Sequence, residues 1–354
     1  MKNILVFPCG TDEGLELNRA LGQAVHFRLY GAGKAGDDRG KYIYRNYIGE
    51  WDLGLPDLLR RINDTIERYA IDLIYPASAE ALLFLARHRN QLAAPVMAPD
   101  LSVVELCQSE RRMRALFEDL LSSTNEDAIK RCFCLTDRHG TLRFVGAEGG
   151  AGAGPYEEWA KAIHSRIKLR GAWSFSVGCN RIRVRPGIVP SMAVYRNQGV
   201  NLPALALFDW LGHDIEIKET GIGISSRLVP QRRYVFHYDY DDVYLDLDDT
   251  IIIDGQVNPL MMAFLFQCRN RGKKVHLITK HRFDLDSTLK EHRLSGLFDS
   301  VFWLKASDEK YRYMKEEKAI FIDDAYSERK KVSERLGIPT FEVSAVECLM
   351  DWRL

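Results

Sequence analysis

The sequence predicts an α/β protein of two or three domains, and three observations support this prediction. A chain of 354 residues is long enough for two domains that each bury their own core. Strand-like and helix-like patterns alternate near both ends of the chain, which is typical of parallel sheets covered by helices. Two apolar, strand-like runs also end in carboxylates, and open α/β sheets place their ligands at the carboxyl ends of strands.

The C-terminal segment shows the alternation most clearly. Strands are predicted at 242–246, 274–279, 300–304, 319–322 and 339–343, and helices at 259–271, 285–294, 308–317 and 327–336. Gly272 and Gly337 stand where helix C-caps are expected. Residues 239–354 are therefore predicted to form one domain around a parallel sheet.

The N-terminal segment begins in the same way, with strands predicted at 4–7, 25–30 and 72–75 and helices at 11–22, 55–69 and 79–89. Residues 1–105 are predicted to form a small Rossmann-like domain. The middle, residues 106–238, is less regular: a strand at 130–135, a glycine-rich stretch at 146–154, and helices at 156–169 and 202–211. The glycine-rich stretch is either a flexible loop or a loop that covers phosphates.

Composition excludes several classes of protein. The 49 basic residues equal the 49 acidic ones, so bulk charge gives no support for nucleic-acid binding or an acidic membrane. No apolar run approaches the roughly 20 residues that span a bilayer. The seven cysteines are scattered and odd in number, and Cys132 and Cys134 fit small buried residues better than half of a zinc site. We expect a reduced, cytoplasmic protein.

The most informative residues are the carboxylates that follow two of the predicted strands. Asp246, Asp248 and Asp249 follow one strand, and Asp323 and Asp324 follow another. Such clusters usually persist where a cation or a reacting group needs them, because like charges repel and desolvation is costly. Parallel strands end at one edge of a sheet, so the two clusters are predicted to form a single site.

The first cluster also suits covalent phosphoryl chemistry. An aspartyl-phosphate mechanism needs one carboxylate as nucleophile and a second as general acid and base. It needs Mg²⁺ to offset the repulsion of the incoming phosphate. A hydroxyl and an ammonium are needed to hold the phosphate oxygens.

At these residues the segment from 240 to 354 resembles the haloacid dehalogenase (HAD) superfamily. Residues 246–250 (DLDDT), 277–279 (LIT), Lys310 and 322–324 (IDD) are similar to its four motifs, in order. Lys310 is preferred to Lys305 and Lys315, because its spacing to the fourth motif fits one helix plus one strand. The gaps between motifs are too short for an inserted cap, so the resemblance implies a capless parallel sheet.

The resemblance also implies roles for individual residues. Asp246 would be the nucleophile and Asp248 the general acid and base, with Thr279 and Lys310 as further catalytic residues on the phosphate oxygens. The implied Mg²⁺ ligands are Asp246, Asp248, Asp323 and Asp324.

Further residues are assigned to substrate binding: Thr250, Lys280, His281, Arg282, Arg183 and Arg185. His281 and Arg282 would either contact the leaving group or lie on a solvated loop. Arg183 and Arg185 alternate with apolar residues along one strand and would share a face. That face is either a binding surface for an acidic or phosphorylated substrate, which arginine forks suit, or a solvated or ion-paired one.

Residues 1–238 resemble the ATP-grasp superfamily, in the branch of carbamoyl-phosphate synthase and amino-acid ligases. The matching stretches are 5–10 (LVFPCG), 71–78 (IDLIYPAS) and 196–203 (RNQGVNLP). Residues 181–187 (RIRVRPG) depart from the family, with arginine where a glutamate is expected and glycine where an arginine is expected. The resemblance implies a Rossmann-like pre-ATP-grasp domain and a truncated, degenerate ATP-grasp-like α+β domain.

The sequence therefore predicts a Mg²⁺-dependent phosphatase of HAD type, with the N-terminal region as substrate-binding scaffold or lid. The expected partner is a small phosphorylated metabolite, with sugar or nucleotide-sugar metabolism as a guess and a homo-oligomer left open; neither membrane nor nucleic acid is expected. The alternatives are an ATP-dependent ligase or kinase with an appended phosphatase, a non-catalytic regulatory protein, and a polynucleotide phosphatase.

Overall fold

The protein is described here from a computed structural model, which describes residues 1–121, 130–149, 154, 156–178, 181–220, 224 and 229–353. The chain divides into two compact units, with Met1–Pro230 and Arg353–Leu354 in unit 1 and Gln231–Trp352 in unit 2. The architecture is mixed α/β, with a parallel sheet in each unit and an additional antiparallel sheet in unit 1.

Unit 1 begins with a four-stranded parallel sheet. Its strands are β1 (Lys2–Phe7), β2 (Phe27–Lys34), β3 (Asn46–Trp51) and β4 (Leu73–Pro76), in the order β3-β2-β1-β4. The helices between and after them are α1 (Asp12–Leu21), α2 (Leu58–Tyr69) and α3 (Ala79–Arg87). Alternation along β1 sends Ile4 and Val6 into one core, and Leu5 and Phe7 into the other, so both faces of the sheet are covered.

The rest of unit 1 is built around an antiparallel sheet. Its elements are α4 (Leu101–Gln108), α5 (Glu110–Leu116), α6 (Glu118–Leu121), β5 (Lys130–Thr136), β6 (Leu142–Ala147), α7 (Tyr156–Arg166), β7 (Gly171–Gly178), β8 (Arg181–Pro186), α8 (Ala193–Asn197) and α9 (Leu202–Trp210). The strand order is β6-β5-β7-β8, which makes β8 an edge strand. Cys132 and Cys134 are buried in the core between this sheet and α5 and α7, as small apolar residues would be.

Unit 2 contains a five-stranded parallel sheet in the order β13-β12-β9-β14-β15. Its elements are β9 (Asp242–Leu245), β10 (Ile252–Ile253), β11 (Gln256–Val257), α10 (Pro259–Asn270), β12 (Lys274–Thr279), α11 (Leu285–Glu291), β13 (Ser300–Trp303), β14 (Ala319–Ile322), α12 (Tyr326–Leu336), β15 (Thr340–Phe341) and α13 (Val346–Leu349). The central strand β9 is buried along its whole length. β10 and β11 form a short hairpin directly after it.

One predicted helix is absent. Residues 308–317 were predicted to be helical, but the structure has only one 3₁₀ turn there, Lys310–Tyr313. The Lys315 N–H donates to the Tyr244 hydroxyl at 3.3 Å instead of to a carbonyl of the preceding turn. The sequence prediction also missed β3, β6 and β7, and residues 150–153 of the glycine-rich stretch lie outside the described residues. Among the described residues, no helix is long and apolar enough to cross a membrane.

Candidate functional site

The two acidic strand ends meet at one edge of the unit 2 sheet, as the sequence predicts. β9 and β14 are parallel neighbours with Leu245 opposite Ile322, so Asp246 and Asp323 follow at the same level. The Asp246 N–H donates to the Ile322 carbonyl at 3.0 Å, which extends the pairing by one residue. Register and strand order together therefore bring the two carboxylates side by side.

Three carboxylates converge at this edge. One oxygen each from Asp246, Asp323 and Asp324 lies within 4.8 Å of the other two. Asp323 is fully buried, and the Asp246 side chain is 13% exposed. This is the spacing at which carboxylate oxygens can share one divalent cation.

Lys310 is the cation that the structure places among them. Its side chain is 2% exposed, and its Nζ lies 2.6 Å from Asp323 Oδ2 and 3.1 Å from Asp246 Oδ1. The contact with Asp323 is a directed hydrogen bond, whereas the contact with Asp246 is an ion pair without full hydrogen-bond geometry. The Lys310 ammonium therefore offsets the negative charge of two carboxylates at once. Lys310 lies in a 3₁₀ turn and not in the predicted helix.

The charges of this cluster do not balance. Three carboxylates face one ammonium, and burial raises the pKa of Asp246 and the pKa of Asp323, the latter to about 6, despite the opposing effect of Lys310. The negative charge on Asp246 adds to the rise at Asp323. The Asp246 Oδ1 atom is also buried, and among the described residues it accepts no hydrogen bond of full geometry, although Lys310 Nζ lies 3.1 Å away. A buried, undercompensated set of oxygen ligands fits a hard divalent cation such as Mg²⁺.

The backbone around the cluster is held by several hydrogen bonds. The Ala325 N–H donates to Asp323 Oδ1 at 2.8 Å, and the Asp324 N–H donates to the Thr250 hydroxyl at 3.1 Å. Arg329 donates to the carbonyl oxygens of Asp323 and Asp324 at 2.7 and 2.6 Å. Thr250, predicted to bind substrate, thus fixes the loop that carries Asp324. Arg329 was missed by the sequence prediction, because it lies in the next helix, α12, and not at a strand end.

Thr279 ends β12, next to β9, and its side chain is fully buried. Its hydroxyl faces the Asp246 carboxylate and partly offsets the burial that raises the pKa of that group. It has no partner with full hydrogen-bond geometry among the described residues. A buried hydroxyl in this position can donate to an oxygen of a bound phosphate group.

Asp248 does not join the three converging carboxylates. Its side chain is half exposed, and its two carboxylate oxygens lie 2.9 and 3.0 Å from His281 Nδ1. The Nε2 atom of His281 lies 2.9 Å from the Thr288 hydroxyl. His281 is buried, so the alternative of a solvated loop is wrong for this residue. Thr288, on α11, is a further member of the site that the sequence did not reveal.

The remaining predicted site residues have other surroundings. Lys280 forms a 2.8 Å ion pair with Glu328, and Arg282 is exposed, as on a solvated loop. Arg183 and Arg185 lie in unit 1, on the exposed face of β8, where Arg183 Nη2 lies 4.0 Å from Glu110. The structure therefore assembles Asp246, Thr279, Lys310 and the two adjacent aspartates, and it places the other predicted residues outside that cluster.

Comparison with known proteins returns no matching family model and no matching curated protein. Among solved structures, the chain is similar to pyruvate carboxylase from Rhizobium etli, at 12% identity over 64% of this chain and 25% of that one, with a TM-score of 0.44. It is also similar to the biotin carboxylase domain of Hydrogenobacter thermophilus 2-oxoglutarate carboxylase, a structure in complex with MgADP, ADP and bicarbonate. The similarity covers 62% of this chain and 71% of that domain's chain, at 12% identity and a TM-score of 0.45.

A third similar structure is the K. lactis urea amidolyase, at 13% identity over 61% of this chain and 16% of that one, with a TM-score of 0.40. The chain thus spans about a quarter of the length of the pyruvate carboxylase that it matches. At such identities and TM-scores, no function of these proteins is transferred to this chain, and the ATP-grasp-like interpretation of residues 1–238 is not confirmed.

These comparisons correct the identification made from the sequence. The three similar structures named above are two carboxylases and an amidolyase, and none of the three is a HAD phosphatase. The identification as a HAD phosphatase is therefore wrong, and with it the assignment of the chain as a hydrolase of phosphate esters. The physical reason is that carboxylates, a threonine and a lysine at adjacent strand ends form a general set for binding cations and phosphates, which does not define one superfamily.

Proposed function

We propose that this protein is a Mg²⁺-dependent enzyme that transfers the terminal phosphoryl group of ATP, as an ATP-dependent kinase or ligase does. The observation that carries the proposal is the convergence of Asp246, Asp323 and Asp324 around the buried Lys310. Mg²⁺ in proteins is usually held by one or two carboxylates together with the phosphates of its substrate. With phosphate-ester hydrolysis set aside, ATP-dependent transfer is the alternative from the sequence that uses such a site.

The cluster would bind both the metal and the phosphates. Asp246, Asp323 and Asp324 would hold Mg²⁺, which when bound supplies positive charge against the phosphate oxygens. In this scheme Asp246 is a metal ligand and not the nucleophile expected from the sequence. The Lys310 ammonium and the Thr279 hydroxyl would contact oxygens of the terminal phosphoryl group and stabilise the negative charge of the transition state.

In this proposal Asp248 is the general base. An oxygen of the acceptor attacks the terminal phosphorus and its proton passes to the Asp248 carboxylate. The bond from that phosphorus to the bridging oxygen breaks, and ADP leaves with the bonding electrons. His281 positions Asp248 through the 2.9 Å contact, and Thr288 in turn fixes the ring of His281. The acceptor, expected from the sequence to be a small phosphorylated metabolite, stays a prediction.

Isothermal calorimetry with ATP tests this function. We expect binding with excess Mg²⁺, at least tenfold weaker binding in EDTA, and a loss of at least tenfold in Asp323→Asn, which removes one ligand charge. The matched control is Asp254→Asn, because Asp254 is exposed on the nearby hairpin at φ 50°, a conformation that asparagine adopts readily. Absence of binding at millimolar nucleotide with Mg²⁺ present would refute the proposal.

A further inference from the structure

Unit 1 contains a cavity of about 600 Å³ that the proposed phosphoryl chemistry does not use. Its size falls in the range of small-molecule sites, roughly 300–1,000 Å³. Part of its wall is Glu13, which follows β1, together with Pro76, the last residue of β4, and Ala77 and Ser78, which come directly after it. The cavity therefore lies at the carboxyl edge of the parallel sheet of unit 1.

The strand order makes this edge a favourable place for a ligand. The chain moves from β1 outward through β2 to β3 and then returns to form β4 on the other side of β1. The connections that leave β1 and β4 diverge at this point and open a crevice. Such switch points are where open α/β sheets bind their ligands.

The inner part of the cavity is apolar. Its walls come from α3, the segment between α3 and α4, α4, α5 and β8, through the side chains of Leu82, Met97, Val104, Met113, Ile182 and Val184. These side chains are buried from solvent while they line the space. A ligand that displaces water from such walls needs an apolar body of its own.

The polar part of the wall is formed by arginines of the edge strand β8. Arg183 and Arg185 both line the cavity. Arg183 lies 4.0 Å from Glu110, which Arg181 also approaches to 3.6 Å, whereas Arg185 forms no ion pair among the described residues. Arg185 is thus a cation at the cavity without a carboxylate of its own.

Two carboxylates line the cavity, Glu13 and Glu110, and neither forms an ion pair with Arg185 among the described residues. Glu13 lies in the first turn of α1, where the helix N-terminus favours a negative charge. The first turn of α3, capped by Ser78, also lies at the cavity and contributes partial positive charge. One end of the cavity therefore favours an oxyanion, and the remainder favours an apolar group.

We infer that this cavity is a binding site for a small organic anion, a molecule with an apolar body and a single carboxylate or phosphate group held by Arg185. The apolar body fills the space between α3, α4 and β8. This inference concerns unit 1 and does not rest on the Mg²⁺ and ATP chemistry proposed for unit 2.

The test uses the full chain in EDTA without nucleotide, so that the Mg²⁺ site is not engaged. The probe is the fluorescent anion anilinonaphthalene sulfonate, and its uncharged counterpart is N-phenylnaphthylamine. Arg185→Gln is compared with Arg181→Gln, which lies on the same face of the same strand but does not line the cavity. Ala79→Trp fills the cavity from an exposed helix position, and Ser102→Trp adds the same indole at an exposed position elsewhere.

We expect Arg185→Gln to weaken binding of the sulfonate about tenfold or more and to leave the uncharged probe unaffected, because only the oxyanion contact is lost. Ala79→Trp should abolish binding of both probes, and the two control variants should bind as the wild type does. Equal effects of Arg185→Gln and Arg181→Gln, or undiminished binding to Ala79→Trp, would overturn the inference.

Displacement of the sulfonate then identifies the anion. Stronger displacement by hexanoate assigns a carboxylate ligand, and stronger displacement by hexyl phosphate assigns a phosphate ester. Two results would overturn the site. One is displacement by hexanol as strong as that by hexanoate and hexyl phosphate, and the other is no displacement by any of the three. Failure of the probes to bind would not affect the result expected from calorimetry with ATP and Mg²⁺. Each of the two proposals can therefore be refuted without the other.

Discussion

Replacing Lys310 by methionine tests the charge arrangement of the site. The substitution keeps a long, apolar side chain of similar length in a position that is 2% exposed, and it removes only the ammonium. Asp246 and Asp323 then lose the ammonium that lies within 3.1 Å of both. Breaking a buried ion pair in this way costs about 3–5 kcal/mol, because the remaining charge stays buried without compensation.

The size of the loss should depend on pH and on Mg²⁺. Burial already raises the pKa of Asp323 to about 6, and removing Lys310 should raise it further. A carboxyl group whose pKa is raised in the folded state lowers the free energy of unfolding above that pKa, and this loss shrinks as pH falls below it. The variant should therefore recover stability relative to the wild type as pH falls toward about 5. Mg²⁺ should also restore more stability to the variant than to the wild type, because it replaces the missing charge and binds only the folded site.

Urea unfolding at pH 8, combined with hydrogen exchange of peptides from β9, β12 and β14, measures the effect within unit 2. The control is Lys305→Met, at an exposed position where a surface substitution changes stability by about 0.5 kcal/mol or less. A loss below about 1 kcal/mol for Lys310→Met, or equal effects of Mg²⁺ on variant and wild type, would refute the reasoning.

Four other outcomes follow from the same contacts. Mg²⁺ affinity should fall steeply as pH decreases below about 6, because Asp323 takes up a proton there and metal ligands must be deprotonated; calorimetry that shows equal affinity at pH 5 and pH 8 would contradict this. Asp324→Asn should weaken Mg²⁺ about tenfold with little loss of stability, since this carboxylate is exposed; unchanged affinity would remove it from the ligand set. His281→Asn should lower turnover of ATP roughly 10–100-fold at an unchanged ATP affinity, because it positions Asp248 without contacting the metal cluster; a changed affinity with normal turnover would reverse the assignment. Phe321→Ala should destabilise unit 2 by about 3–5 kcal/mol, since Phe321 is fully buried in its core; a loss under 1 kcal/mol in urea would show that the core there is not packed as described.

The part of the site that the sequence predicts is the part that strand order determines. Parallel strands that end in aspartates must bring those aspartates to one edge, and β9 and β14 turn out to be direct neighbours, so Asp246 and Asp323 meet. Thr279 follows from the same rule, because β12 is the neighbour of β9 on its other side. The alternation of apolar and polar residues, together with the ends of the predicted strands, was sufficient to predict where these residues lie.

The residues that the sequence does not reveal depend on side-chain direction. Asp248 follows Asp246 by two positions, but the loop after β9 sends it to His281 and away from the metal cluster. Arg329 acts through backbone carbonyls, which no residue pattern records. The predicted helix around Lys310 fails because the Tyr244 hydroxyl, from a distant strand, captures a backbone N–H. Such tertiary contacts override local propensity.

The family identification shows a different limit. Short motifs specify the kinds of side chain at a site, and the same kinds recur in unrelated proteins that bind Mg²⁺ and phosphate. The comparisons contradicted the HAD phosphatase identification while leaving the arrangement of the carboxylates as it stands in the structure. The positions of the carboxylates were therefore more predictable from the residues than membership of a superfamily.

A crystal soaked in Mn²⁺, a spectroscopic substitute for Mg²⁺, examines the central assignment by locating the bound ion through its anomalous scattering. The account predicts one strong peak in unit 2 at coordination distance, roughly 2 Å, from carboxylate oxygens of Asp246 and Asp323, with Asp324 beside it. The peak should vanish in Asp323→Asn crystals. A map without a peak at that strand edge, or with manganese bound only at other acidic groups, would contradict the account.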